Sequence, residues 1–408
     1  MAERPGTPAD AVLGLVPRLV LEPATLAEAA EAVARCARDR LSLAFVGGGT
    51  DLALGAPPAS LDAVLRTGAL ARVVAHAPSD QVVTVEAGMP LGALQAALAP
   101  HGQWLALDPP WPERATVGGI VAANAFGPRR ARYGSVRDLI LGATVVRADG
   151  TVAKGGGKVV KNVAGFDLPR LLVGSLGTLG LVATVTFRLH PRPEAEATVL
   201  CRGVDAAQAW AIVRAARDAQ LEPSSAAAVA ASDRLDLGVR FEGFAPGVEA
   251  QAARLLALAS AAGLAPDRLD AAAAATFWAR HDAARTGGTL RAKLSAPPSA
   301  LPAVARDALG PLLGELSPSA ATWYPTLGLG FVAGTPAGAA PAARAVEEAR
   351  ASLRALGGAL VLLDAPPEVR AAADVWGAPP DAFPLMQALK ARLDPDRRLS
   401  PGRFVGGL

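Results

Sequence analysis

The chain has 408 residues, 51% hydrophobic and 19% charged, enough apolar material for two or three buried cores and too much for global disorder. Forty Lys and Arg face 37 Asp and Glu, a surplus of three; this is no electrostatic footprint for nucleic acid, even at a sequence pI of about 9.1. The two cysteines, Cys36 and Cys201, exclude a disulfide framework and any all-cysteine cluster or zinc site within the chain, and suit a reducing, cytoplasmic compartment.

Residues 1–16 are polar, carry no basic-then-apolar pattern of a signal peptide, and read as a flexible leader. Thr25 and Glu28 then have capping-box spacing, with Leu26, Ala30, Val33 and Ala37 on one helix face. A short apolar strand over Leu41–Val46 runs straight into Gly47-Gly48-Gly49-Thr50-Asp51. Leu70–Ala75 and Gln81–Ala87 read as a hairpin, and Pro90 opens a helix that Gly102 closes. Asp108-Pro109-Pro110-Trp111-Pro112 suits neither a helix interior nor a central strand. A small-residue loop, Thr116-Val117-Gly118-Gly119 with Ala122-Ala123-Asn124, follows.

Two uncharged stretches need a membrane test. Leu171–Phe187 is only 17 residues long and is broken by Gly174, Gly177 and Gly180, so it reads as helix end, glycine turn and buried strand. Leu316–Ala343 is interrupted by prolines and rich in Ser, Thr and Gly.

Residues 196–375 are Ala-rich and read as two βαββα stretches. Leu237-Gly238 and Phe241 fall in register with Leu327-Gly328 and Phe331 about 90 residues on, as an internal duplication would place them. Two unrelated stretches in an Ala-rich background are the alternative. Residues 376–408 hold a short helix and a turn-rich end whose chemistry is closer to the first part. The expected division is a leader (1–16), a first domain (17–195), a second domain (196–375) and a returning C-terminal segment (376–408).

Successive glycines let backbone N–H groups approach a diphosphate without a Cβ clash. A lone Gly-Gly-Gly is often just a flexible turn. The Rossmann Gly-x-Gly-x-x-Gly pattern is absent, and the Gly157-Lys158 pair is followed by Val159 where a P-loop needs a hydroxyl. Three small-residue loops, at 47–51, 116–124 and 174–182, within about 135 residues exceed what chance turns supply.

The ordered set Val46-Gly-Gly-Gly-Thr50, Asp108-Pro-Pro110, Thr116-Val-Gly-Gly119, Lys161-Asn-Val-Ala-Gly-Phe-Asp167, Gly174-Ser-Leu-Gly-Thr-Leu-Gly180 and a terminal Pro-Gly-Arg403 resembles FAD-binding flavoproteins of the vanillyl-alcohol-oxidase type. With Phe126-Gly-Pro-Arg-Arg130, Tyr133-Gly-Ser-Val-Arg-Asp138 and Asp374-Val-Trp-Gly377, it is similar to the FAD-binding subunits of bacterial glycolate oxidases. The resemblance implies an α+β chain, with a two-subdomain FAD-binding domain and an α+β cap domain carrying an antiparallel sheet over the isoalloxazine. Val46, Gly47, Gly48, Gly49, Thr50 and Asp51 would wrap the pyrophosphate and ribityl chain with Thr116, Val117, Gly118, Gly119, Ala122, Ala123 and Asn124. Pro109, Pro110 and Gly134 would line the flavin side, and Val182 the adenine or ring edge. Gly49-Thr50-Asp51 offers no histidine for covalent attachment, so the FAD is expected to be non-covalent. Ser400 replaces the usual Asn before Pro, and Leu176 replaces a common Glu.

Oxidation of a hydroxy acid needs a cation for the carboxylate, a base for the hydroxyl proton and a hydride acceptor. Arg129 and Arg291 are candidate clamps and His281 a candidate base. The alternative for Arg129 and Arg291 is a surface or interface ion pair, and for His281 a charged helix face. Lys154, Lys158 and Lys161 stand among glycines, either to attract an anion or partner or as a solvated loop. The His-x-Gly-Asp-Gly-Asn-x-His type of segment of catalytic relatives is missing, His76, His101, His190 and His281 stand far apart, and no metal site is expected. By resemblance, the chain would work beside a second, catalytic FAD-binding subunit and an iron–sulfur subunit, oxidising glycolate to glyoxylate and meeting the inner membrane only through partners. A stand-alone FAD-linked 2-hydroxy-acid dehydrogenase and a flavin-free structural subunit are the alternatives.

Overall fold

A computed structural model describes residues 1–157, 167–231 and 234–408. The Lys158 and Lys161 positions and most of the 161–167 motif lie outside them. The chain divides into two units. The first comprises Met1–Gly127, Gly134–Arg192 and Ala378–Leu408; the second comprises Pro128–Tyr133 and Pro193–Gly377. The sequence reading kept 128–133 with the first domain; the contacts give this segment to the second unit.

The first unit holds two main sheets. The smaller runs Ala2–Pro5, Leu19–Glu22, Ala63–Arg66, Leu43–Val46 in spatial order. Its last three strands are parallel, and Ala2–Pro5 is added antiparallel at one edge. The larger is antiparallel throughout, in the order Val73–Ala77, Val82–Glu86, Leu181–Arg188, Ile140–Val146, Val152–Gly156.

The helix Leu26–Arg38 buries Ala29, Ala32, Val33 and Cys36 against the smaller sheet, as its spacing dictates. Thr25 caps it by accepting from the Glu28 amide at 3.2 Å. The reciprocal half of the box is displaced by one residue: Glu28 accepts from the Ala24 amide at 2.7 Å and from the N-terminal amine at 2.8 Å.

Two expectations are corrected here. Residues 1–16 are no flexible leader. They supply an edge strand, and Asp10 accepts Arg4 and Arg66 through paired hydrogen bonds of 2.7–3.0 Å. Those guanidiniums hold its carboxyl well below the usual carboxylate range. Polar composition concealed a segment ordered by charge pairing. Residues 117–123 are not a loop but a helix, Val117–Ala123, capped by the Thr116 hydroxyl and closed by Asn124 at φ 50°. Only glycine lets this helix sit so close to its neighbour: a Cβ on Gly118 would lie 2.7 Å from the Ala87 Cβ.

The second unit is one antiparallel sheet of eight strands. Its spatial order is Pro266–Leu269, Ala195–Val204, Arg234–Gly243, Ser225–Ala231, Leu316–Tyr324, Leu329–Pro336, Leu290–Ser295, Ala359–Asp364. Each half is a βαββαβ run with the same order, fourth-first-third-second, and the two second strands pair at Ala228–Trp323 and Val229–Thr322. The topology is therefore repeated. The expected 90-residue register is not kept, because Leu237-Gly238 lies inside a strand whereas Gly328, at φ +64°, lies in the turn before one. One sheet face packs the helices Ala206–Asp218, Ala245–Ala261 and Ala339–Ala355 through a single apolar core. The helix Ala271–Thr286 packs on the opposite face, where Phe277 sits against Gly238.

Candidate functional site

Within the first unit, the Leu43–Val46 strand ends at a narrow open cleft. Val46–Asp51, Gly118, Gly119, Ala122, Ala123 and Val182 all line it, as do Leu176, Gly177, Gly180, Ser400 and Arg403. Three stretches separated by up to about 130 residues of sequence thus converge, with the C-terminal segment as a fourth wall.

Each glycine of the first loop has its own reason. A Cβ on Gly47 would stand 2.1 Å from the Thr116 hydroxyl, and one on Gly48 would stand 1.7 Å from the Arg114 carbonyl oxygen. Both press against protein behind them. Gly49 differs: its φ is +71° and nothing lies within 4 Å of where a Cβ would be. Gly47 and Gly48 seat the loop, and Gly49 leaves space in the cleft.

The helix Val117–Ala123 is held from both sides. The Gly118 amide donates to the Ala87 carbonyl at 2.7 Å and the Val117 amide to the Met89 carbonyl at 2.9 Å. The third glycine loop closes on its other end, where the Gly174 and Leu176 amides donate to the Val121 and Ala122 carbonyls at 2.9 Å each. Asn124 follows directly, and its Oδ1 is buried with no protein partner, an acceptor that a bound group or water would have to satisfy.

The C-terminal segment is tied in by two nodes. Leu43 exchanges backbone bonds with 398–400, Leu43 N donating to Arg398 O at 2.8 Å and Ser400 N to Leu43 O at 2.9 Å. The buried Arg403 guanidinium donates to the Leu52 carbonyl at 2.8 Å and to the Leu54 carbonyl. Among the described residues, Asp51 and Arg403 are the only charged side chains lining the cleft. Its walls otherwise offer backbone amides, hydroxyls and small apolar groups, a donor set suited to an extended phosphorylated ligand rather than to a metal.

Six predicted cofactor residues do not line this cleft. Thr116 and Val117 stand one layer behind it, as cap and buried first residue of the helix. Asn124 closes that helix. Pro109, Pro110 and Gly134 lie elsewhere in the unit, and Gly134, at φ +81°, turns the chain into the Ser135–Asp138 capping box. Sequence reasoning missed Thr67, Ala87 and Phe45, since a single residue at a strand end carries no motif. Gly177 and Gly180 stood inside a quoted loop, and Arg403 inside the terminal motif.

The three candidate catalytic side chains are engaged within the second unit. Arg129 presents its fork to Glu242, Nε to Oε2 at 3.1 Å and Nη2 to Oε1 at 2.7 Å. Burial pushes the Glu242 carboxyl up, but Arg129 outweighs it and leaves the group below its ordinary value. Arg291 donates to Asp364 at 3.0 Å. His281 is buried between Asp282, 3.1 Å from Nδ1, and the Tyr324 hydroxyl, 2.8 Å from Nε2. Desolvation lowers its pKa to about 4. The imidazole is therefore neutral at pH 7, with Nδ1–H donating to Asp282 and Nε2 accepting from Tyr324. All three are thus paired inside the fold, where the sequence suggested surface or interface ion pairs and a charged helix face as the alternatives to catalysis.

Burial also pushes the Cys201 thiol up to about 11, and the Cys36 thiol above its ordinary value, so neither is poised as a nucleophile. Among the described residues, no group of three or more His, Cys, Asp or Glu is placed to hold a metal ion, and no helix is long and apolar enough to cross a membrane.

Residues 17–156 match the family model described as an FAD binding domain. Over 168 residues the chain is 40% identical to glycolate oxidase subunit GlcE of Escherichia coli (strain K12), covering 40% of this chain and 47% of that protein. It is 33% identical over 194 residues to glycolate oxidase subunit GlcD of Bacillus subtilis (strain 168), covering 47% and 41%. It is 38% identical over 176 residues to a D-lactate dehydrogenase of Archaeoglobus fulgidus, covering 43% and 39%. The matches span less than half the length of these three relatives. Among solved structures, an alkyldihydroxyacetonephosphate synthase shares the fold, with a TM-score of 0.71 at 17% identity over 95% of this chain and 76% of that one. The α+β class and the vanillyl-alcohol-oxidase-type architecture expected from sequence are borne out. FAD is the cofactor that the matched domain binds.

Proposed function

We propose that this chain, with its FAD-binding domain at residues 17–156, is the flavin-bearing subunit of a multi-subunit oxidoreductase that converts glycolate to glyoxylate. Its electrons would pass to an iron–sulfur partner. The observation that carries the reading is the convergence of the three glycine-bearing stretches and Arg403 on one cleft, the first two of those stretches lying inside the residues that match the FAD binding domain.

In this reading, bound FAD supplies a hydride acceptor. Gly49 would leave room for the pyrophosphate, with the 47–51 loop and the small residues Gly118 and Gly119 of the helix Val117–Ala123 lining the cleft that holds it. Arg403 keeps the Leu52–Leu54 backbone in place at the edge of the cleft. No covalent link is expected.

The side chains that a stand-alone dehydrogenase would use favour the subunit reading. The Arg129 fork is taken up by Glu242, Arg291 by Asp364, and His281 by Asp282 and Tyr324. Removal of the hydroxyl proton and capture of the carboxylate are then tasks for the catalytic partner. The whole complex would sit on the cytoplasmic side, meeting the inner membrane through its partners.

An anaerobic visible spectrum of the purified chain tests this. Flavin bands that glycolate leaves unchanged, and that bleach once the catalytic and iron–sulfur subunits are added, are expected. Bleaching of the chain alone would overturn the subunit assignment. A colourless chain that takes up no added FAD would overturn the flavin assignment.

A further inference from the structure

The second unit contains a cavity of about 560 Å³ that shares no lining residue with the cleft of the first unit. It lies under the helix Ala206–Asp218, beside the Leu221–Pro223 loop and the Pro325–Thr326 turn, with Arg132 reaching in from the inserted Pro128–Tyr133 segment. Its volume is that of a small-molecule site, about 300–1,000 Å³.

The lining has two characters. The floor is apolar and rigid: Val213, Ala216, Ala226 and Val239 are at most 7% exposed, and Trp210 and Leu221 extend it. The rim is cationic, with Arg132, Arg214 and Arg217 against, among the described residues, the carboxylate of Glu222 alone. Glu222 is already met by Arg132 at 3.2 Å, and Arg217 is met by Asp218 at 3.0 Å. Arg214 makes no ion pair among the described residues. A second polar group points the same way: the Thr326 hydroxyl oxygen is buried and has no protein partner. A buried hydroxyl left unsatisfied is unfavourable, so a ligand or water that meets it is favoured.

We propose that this cavity is a binding site for a small organic anion with a compact apolar body, a branched or aromatic carboxylate. The carboxylate would pair with Arg214 at the rim, the body would lie against Trp210 and the Val213–Val239 floor, and the Thr326 hydroxyl would contact a polar atom of the ligand. Glycolate does not match the site, because it has no apolar body to cover that floor. The site is therefore distinct in ligand class from the reaction proposed above and does not rest on it.

The test uses the full chain and 1-anilinonaphthalene-8-sulfonate, an aromatic sulfonate whose fluorescence rises on burial, with indole-3-propionate as competitor. One saturable site is expected, from which the carboxylate displaces the dye. Arg214 is exposed, so Arg214→Ala leaves the fold intact, which unchanged thermal unfolding checks. It should weaken both ligands at least about tenfold, the equivalent of one charge-assisted hydrogen bond. Thr326→Val, close in shape, should weaken the carboxylate less, and Trp210→Ala should weaken both. No saturable binding, or binding equally strong in folded Arg214→Ala and Trp210→Ala chains, would overturn the proposal.

Discussion

Lys390 and Asp394 form a buried ion pair, Nζ to Oδ2 at 2.6 Å, at the C-terminal end of the helix Phe383–Leu393. Lys390 is 2% exposed and Asp394 fully buried. The ammonium also donates to the Thr178 carbonyl at 2.8 Å and to the Leu399 carbonyl at 2.9 Å. Asp394 in turn accepts from the Arg398 and Leu399 amides. All three donors of one lysine are used. They lock the third glycine loop of the cleft to the segment that carries Ser400 and Arg403.

Removing one partner leaves the other buried and uncompensated. Lys390→Met is expected to destabilise the chain by about 3–5 kcal/mol, with Asp394→Ala at the upper end because it also orphans two amides. In chemical denaturation both should lower the midpoint, and FAD should dissociate faster from whatever remains folded. A Lys390→Met chain of unchanged midpoint would show that the pair does not lock the loop.

Gly48 and Gly49 are adjacent but should answer differently to alanine. Gly48→Ala must displace the Arg114 carbonyl, 1.7 Å from the new Cβ, and is expected to cost about 3 kcal/mol or more of apo-protein stability. Gly49→Ala meets no neighbour and costs about 1–2 kcal/mol for its left-handed backbone, yet its Cβ projects into the cleft. Its flavin affinity should fall out of proportion to its stability. Isothermal titration of apo-protein with FAD, beside thermal melts, separates the two effects; equal affinity for Gly49→Ala and the unmodified chain would contradict the placement.

Arg129 provides a direct contrast between substrate clamp and structural pair. Arg129→Ala leaves Glu242 buried without its cation and should destabilise by about 3 kcal/mol. The sign with pH follows from linkage. The native Glu242 carboxyl is held below its ordinary value, so its contribution is present above the unfolded pKa and fades as pH falls through the folded one. The stability gap between Arg129→Ala and the parent chain should therefore be full at pH 7 and shrink in acid. A gap that does not change from pH 7 to pH 3 would remove Glu242 from the explanation.

His281 gives a second pH signature. Its folded pKa, about 4, lies below its ordinary 6.5 because burial disfavours the imidazolium. Between these values the unfolded chain binds the extra proton, so stability rises with pH through this window and is lost as pH falls through it. The span corresponds to about 3 kcal/mol at most. His281→Gln should flatten the denaturation midpoint between pH 6.5 and 4.5 relative to the parent chain. Parallel profiles for the two would place the acid sensitivity elsewhere.

The stretches that converge on the cleft were legible in the chain because close backbone packing leaves a compositional mark. A backbone pressed against its neighbours demands small residues in runs, and Gly47–Gly49, Gly118-Gly119 and Gly174–Gly180 are such runs. The capped helices and the alternating strands were legible for the same local reason. Residues 1–16 were not, because Asp10 finds its partner Arg66 across 56 positions, and no local pattern encodes a pairing at that distance. His281, Arg129 and Arg291 stood as catalytic candidates against surface or interface ion pairs and a charged helix face. Only tertiary packing decided, by placing Tyr324, Glu242 and Asp364 within hydrogen-bonding reach. Sequence alone determined which segments can approach a phosphate, since that depends on the absence of a Cβ. Tertiary structure decided which charges remain available, since a side chain's chemistry is set by the partner and the dielectric that the fold brings to it.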